Sequence, residues 1–127
     1  MTLGKIKLGK EGEEAAVKFL QSRGYRILTR NFKNKLGEID IVAKEAETIC
    51  FIEVKTRTSD VFGSPFDAIS KLKQHKLSKV AVSYLKTNNL MNNDARFDIV
   101  SITKDSQGND NIEVLKNAFE LSSPYSY

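Results

Sequence analysis

The stretch Glu38-Ile39-Asp40-Ile41-Val42-Ala43-Lys44, followed after a short polar turn by Thr48-Ile49-Cys50-Phe51-Ile52-Glu53-Val54-Lys55-Thr56, reads as two strands rich in Ile, Val, Thr and Phe. Side chains alternate across a strand, so Glu38, Asp40 and Val42 are expected on one face of the first and Ile39, Ile41 and Ala43 on the other. In the second, Ile49, Phe51, Glu53 and Lys55 share a face that begins apolar and ends charged, while Cys50, Ile52 and Val54 fill the other. A strand that is apolar on both sides until its last residues belongs inside a sheet, where charges must be paired or bind a metal. If the two strands are neighbours, Asp40 and Glu53 converge at one end with Lys55 beside them. Two carboxylates, a backbone carbonyl and waters form the oxygen set that Mg²⁺ takes, with positions left for substrate phosphate. A buried Lys–Asp–Glu network that serves structure alone is the competing reading.

Outward from these strands, residues 8–23 read as a helix closed by Gly24 at the left-handed C′ position, and Tyr25–Asn31 as a first strand. Ser64-Pro65-Phe66-Asp67 has the form of a helix start, with Ser as N-cap and Pro at the first helical position. The helix it opens is expected to run to about Leu85, with Ile69, Leu72, Leu77, Val80, Ala81 and Tyr84 as its apolar stripe. Beyond the turn-rich residues 86–94 come two further strands, Arg96–Thr103 and Asn111–Leu115, around a turn at 105–110. The order αβββαββ predicts an α/β fold with a mixed central β-sheet flanked by helices. Three consecutive strands exclude a pure Rossmann alternation, and no Gly-rich phosphate loop is present.

At 127 residues the chain has the length of one domain, expected over residues 1–121 with Ser122–Tyr127 as a frayed tail. The single Cys50 leaves no intramolecular disulfide partner. No apolar run approaches the roughly 20 residues of a membrane span, and Lys5, Lys7 and Lys10 stand without the apolar core of a signal peptide. A cytoplasmic location and no membrane association are therefore expected. The net charge of +4 is uneven: residues 1–103 carry +6 and residues 104–127 carry −2. An excess of this size in the body suits a polyanionic partner.

Further charges fall where apolar residues are expected. Glu13 lies on the stripe of Ala16, Val17 and Leu20, whereas Glu14 is four residues before Lys18, as an exposed pair would be, and Glu11 projects to the same outer side. Lys73 lies four residues from both Ile69 and Leu77, inside the apolar stripe, with Lys76 close to it. Lys71, His75, Lys79 and Lys86 are on the other side of that helix, where a solvated face is the plain reading. His75 is the only histidine, so neither a His-ligated zinc site nor a Ser-His-Asp triad is supported. Any catalysis must run on carboxylates, lysine and metal.

Gly12-Glu13 with Ala16 and Leu20, Gly24-Tyr25-Arg26-Ile27-Leu28, Arg30-Asn31, Gly37-Glu38-Ile39-Asp40, Phe51-Ile52-Glu53-Val54-Lys55-Thr56-Arg57, Phe62-Gly63, Lys73 and Arg96-Phe97-Asp98 together resemble the YraN-like bacterial family. That family is described as predicted endonucleases similar to archaeal Holliday-junction resolvases of the PD-(D/E)XK, or restriction-endonuclease-like, superfamily. The resemblance implies that fold, and a DNA endonuclease in which Asp40 and Glu53 bind Mg²⁺, with Mn²⁺ as a substitute. Lys55 would be the catalytic lysine and Glu13 the helix glutamate that helps hold the metal or its water. Where the superfamily's name calls for proline before the aspartate, Ile39 stands here. Arg57, Lys71, Lys73 and Lys76 would contact DNA phosphates, and a homodimer is implied because a four-way junction needs paired cuts. Two other readings stay open: a nucleic-acid-binding or assembly module that keeps the nuclease fold without turnover, and a metal-free ion network in a protein that meets only other proteins.

Overall fold

A computed structural model describes the backbone of residues 3–58 and 69–121 and the side chains of residues 9–57 and 69–121. Helix α1 spans Leu3–Ser22, starting five residues earlier than expected through a segment rich in the helix formers Leu and Lys. It closes as the sequence predicts. Gly24 takes φ +89°, the Tyr25 N–H donates to the Leu20 carbonyl at 3.0 Å, and the Gly24 N–H donates to that of Gln21 at 3.2 Å. These two bonds form the reversed turn that satisfies the last helical carbonyls.

Strands β1 (Arg26–Asn34), β2 (Gly37–Glu45) and β3 (Thr48–Thr58) follow, then helix α2 (Lys71–Thr87), β4 (Ala95–Lys104) and β5 (Asp110–Phe119). The element order is the αβββαββ expected from sequence. The five strands form one sheet in chain order, antiparallel except where β3 and β4 run parallel. Parallel neighbours need a crossover connection, and α2 lies on the chain between them.

The sheet is buried on both faces. Ala16, Val17 and Leu20 of α1 pack with Tyr25, Ile41, Ala43, Cys50, Ile52, Val100 and Ile102. Leu77, Val80, Ala81, Tyr84 and Leu85 of α2 pack with Ile39, Val42, Ile49, Phe51, Phe97 and Ile99 on the other face. Tyr84 meets Phe32 and Phe51 edge-on, with ring centroids 5.0 and 5.9 Å away. β3 thus has Ile49 and Phe51 on one side and Cys50 and Ile52 on the other, as its double-sided apolar pattern predicts.

Several expectations are corrected. The helix start at Ser64–Asp67 lies outside the described residues, but α2 itself begins only at Lys71. Ser70, in extended backbone, caps it by accepting the Lys73 N–H at 3.1 Å. Ile69 therefore reaches the core from non-helical chain, and Leu72 is 66% exposed, because five residues of helix rotate it away from Leu77. Glu14 pairs with Arg30 of β1 at 3.0 Å, a partner that helix spacing does not reveal. β5 continues to Phe119, which stacks on Phe97 at 4.4 Å. The tail at 122–127 lies outside the described residues.

Candidate functional site

Pairing between β2 and β3 runs from Glu45↔Thr48 to Ile41↔Ile52 and ends one step short of Asp40 and Glu53. There the strands fork. Instead of a ladder bond, the Val54 N–H donates to Asp40 Oδ2 at 2.8 Å, so the carboxylate takes the place of a backbone acceptor. The fork also breaks the alternation: Ile39 packs on the α2 face with Val42, not on the α1 face with Ile41 and Ala43. On β1, Asn31, between the pairs Arg30↔Ile41 and Phe32↔Ile39, takes φ +51°, a conformation that Asn tolerates better than most residues.

Glu53 lies on the α2 side of β3 and is 8% exposed. Its Oε2 is 3.6 Å from Lys73 Nζ, so the lysine placed inside the helical stripe comes from α2 to meet the strand acid. Lys55, half-buried, is close enough to Lys73 for the two to interact directly, and the charges of Glu53 and Asp40 act on it. The other helix approaches the same end of β3 at Gly12. A Cβ there would stand 2.5 Å from Thr56 Oγ1, so only glycine lets α1 pass this close. Glu13 follows, half-buried, near enough for its charge to act on Asp40.

Burial raises the Asp40 carboxyl above its ordinary range; the Val54 N–H opposes the shift, and the charges of Glu13 and Glu38 add to it. Burial and the Asp40 charge push Glu53 up to about 7 despite Lys73 and Lys55. Lys55 moves the opposite way, lowered first by burial and then by Lys73. Two carboxylates that repel across a fork, one with an oxygen committed to a backbone N–H, suit a divalent cation shared with water. A hard, oxygen-seeking ion such as Mg²⁺ fits this donor set. Among the described residues no three His, Cys, Asp or Glu side chains are gathered to hold an ion by themselves.

The structure thus brings Asp40, Glu53, Lys55 and Lys73 together, with Glu13 beside them. Arg57 is half-buried two residues past Lys55, and Lys71 is exposed on the first turn of α2. Neither is among the charges acting most strongly on the acids. Lys76 is exposed and lines a cleft with Leu36, Gly37, Glu38, Lys73, Leu77 and Val80. Sequence reasoning does not find this cleft, because Leu36 in the β1–β2 turn gives no sign of facing α2.

Nor does it find the second polar cluster, on the α1 face. Asp98, 1% exposed, accepts the Tyr25 hydroxyl at 3.1 Å, Arg96 Nε at 3.0 Å and the Asn117 N–H at 2.9 Å. Arg96 also pairs with Glu45, which Lys116 holds at 2.8 Å. The carboxyl of Glu45 is lowered by the hydrogen bonds from Lys116 and Arg96. Cys50 is buried and free, its thiol pushed up to about 12 by burial, which leaves it a packing residue. No helix among the described residues is long and apolar enough to cross a membrane.

Comparison with known sequences places this geometry in a family. The profile described as "Uncharacterised protein family UPF0102" matches residues 12–102, from the close-packed Gly12 to Ile102 of β4. A UPF0102 protein of Geobacter metallireducens is 46% identical over 122 residues, covering 96% of this chain and 99% of the relative. One from Caldicellulosiruptor saccharolyticus is 47% identical over 92% of this chain and 100% of the relative. One from Syntrophus aciditrophicus is 44% identical over 92% and 91%. With near end-to-end agreement and a profile that includes every residue of the fork, the chain belongs to the UPF0102 family, the YraN-like family that its motifs resemble.

Proposed function

We propose that the protein is a metal-dependent endonuclease that hydrolyses phosphodiester bonds in DNA, branched DNA being the substrate implied by the family resemblance. The observation that carries this reading is the fork itself: Asp40 and Glu53 at the point where β2 leaves β3, with Lys55 and Lys73 against them. Asp40, Glu53 and, through water, Glu13 would hold Mg²⁺ or Mn²⁺. A bound divalent cation makes water more acidic and offsets charge on the phosphoryl oxygens. Lys55, lowered by burial and by Lys73, is suited to take the proton from the attacking water at Nζ as the new P–O bond forms. The bond to the leaving oxygen breaks, and that oxygen is protonated from solvent. Lys73 would face the phosphate.

The test is incubation of purified protein with plasmid, four-way-junction and flapped DNA in Mg²⁺ or Mn²⁺, beside Asp40→Asn and Glu53→Gln. Cleavage by the wild type that both variants lose supports the proposal; equal cleavage by all three identifies a contaminant and overturns the site assignment. A module that binds nucleic acid without turnover is favoured by one observation, that no third acidic ligand is gathered with Asp40 and Glu53 among the described residues. That reading requires that calorimetric titration with Mn²⁺ near neutral pH shows no binding.

A further inference from the structure

Helix α2 and the β1–β2 turn enclose an open groove that sequence does not disclose. Its outer part has a volume of about 480 Å³ and is lined by Leu36, Lys79, Val82, Ser83, Lys86 and Thr87. Its inner part, about 180 Å³, is the cleft of Lys73, Lys76 and Glu38. Leu36, 50% exposed, borders both parts. The inner end reaches Lys73, whose ammonium is on Glu53, so the groove opens directly on the acid fork. Asn34 Nδ2 donates to Ser83 Oγ at 3.1 Å and ties the hairpin to the helix across the groove.

We propose that this groove binds a single strand of nucleic acid and leads it to the fork. The inference that the strand is delivered for cutting rests on the function proposed above; the binding itself does not. Lys73, Lys76, Lys79 and Lys86 stand along about 20 Å of helix, enough to follow several phosphates of one strand. Against these four cations the lining sets one acid, Glu38. Beside them Leu36, 50% exposed, and the half-buried Val82 offer apolar surface on which a base can rest. A cationic groove that tracks the backbone is the electrostatic part of single-strand binding. The volume is that of a small-ligand cleft, room for about one or two nucleotides at a time. Lys79 and Lys86 are exposed, as their helical position predicts, and border the outer part of the groove.

The experiment is fluorescence anisotropy in EDTA, with labelled oligothymidylate and a labelled duplex of equal length. Proteins are the wild type, Lys79→Glu/Lys86→Glu, and the charge-matched Lys18→Glu/Arg26→Glu, which alters exposed residues outside the groove. The wild type should prefer the single strand. The groove variant should lose about tenfold or more in affinity, with a salt slope reduced by about 1.4 at about 0.7 per phosphate contact. The matched variant should bind as the wild type does. Unchanged binding by the groove variant, equal loss in the matched variant, or preference for duplex overturns the inference. Unaltered circular dichroism and melting of the groove variant show that a loss is not unfolding. Asp40→Asn should abolish cutting yet keep the groove affinity. Groove binding in a wild-type protein that cuts nothing would uphold the groove and sink the proposed activity alone.

Discussion

Replacing Glu53 by Gln should stabilise the protein at alkaline pH while abolishing divalent-metal binding. Burial and the Asp40 charge raise the Glu53 carboxyl to about 7, from the ordinary value of 4.5. For an acid whose folded value is raised, the folded state keeps its proton to higher pH than the unfolded chain does. Its favourable contribution is therefore complete below pH 4.5 and is lost as pH rises through about 7. At about 1.4 kcal/mol for each pH unit, ionised Glu53 costs the fold about 3 kcal/mol at pH 8. Gln removes that cost, which is already net of the attraction to Lys73, itself 43% exposed. The gain of about 3 kcal/mol corresponds to roughly 9–12 °C in a chain of this length. Thermal unfolding followed by circular dichroism in EDTA checks it: the variant should melt higher at pH 8 and level with the wild type at pH 5. Added Mn²⁺ should then raise the wild type alone, by about 2.7 kcal/mol at a hundred times its dissociation constant. A variant that is less stable at pH 8, or equally shifted at both pH values, refutes the coupling of the two acids.

Three further perturbations follow from the packing. Gly12→Ala should destabilise by about 1–3 kcal/mol in urea unfolding by pressing on Thr56 Oγ1, and adding Thr56→Ala should recover most of the loss. Asp98→Ala leaves Arg96 without its buried partner and should cost about 3–5 kcal/mol by the same measurement; a cost below about 1 kcal/mol would mean the cluster is not a unit. Lys55→Met should cut cleavage by a hundredfold or more while calorimetric Mn²⁺ binding persists, and loss of both together would make Lys55 a support for the acids, not a partner of water.

The strands were legible because β2 alternates polar and apolar residues and β3 is apolar on both sides, and helix α1 because Gly24 ends it where a left-handed residue is needed. The meeting of Asp40, Glu53 and Lys55 was legible from alternation once the strands were taken as neighbours. The fork was not, since the end of a ladder depends on a side chain competing with the backbone for one N–H, and alternation places Ile39 on the wrong face. The break at Ile69 and the cap at Ser70 were not legible, because they depend on the tertiary packing of Ile69. The partners of Glu14 and Asp98 are long-range in sequence, 16 and 73 residues away for Arg30 and Tyr25, where no periodicity reaches.

The bond from the Val54 N–H to Asp40 gives one acid two obligations, to terminate a strand pair and to face the proposed metal. Alanine at position 40 would strip an interior amide of its acceptor and let the two strands close or separate, so its inactivity would say nothing about chemistry. Asparagine keeps the oxygen that receives Val54 and removes only the charge, and is therefore the substitution that separates architecture from reactivity. The same duty means that Asp40 keeps its orientation whether or not an ion is present: the receiving side of the site is assembled when the sheet is, with no ordering left for the ligand to drive.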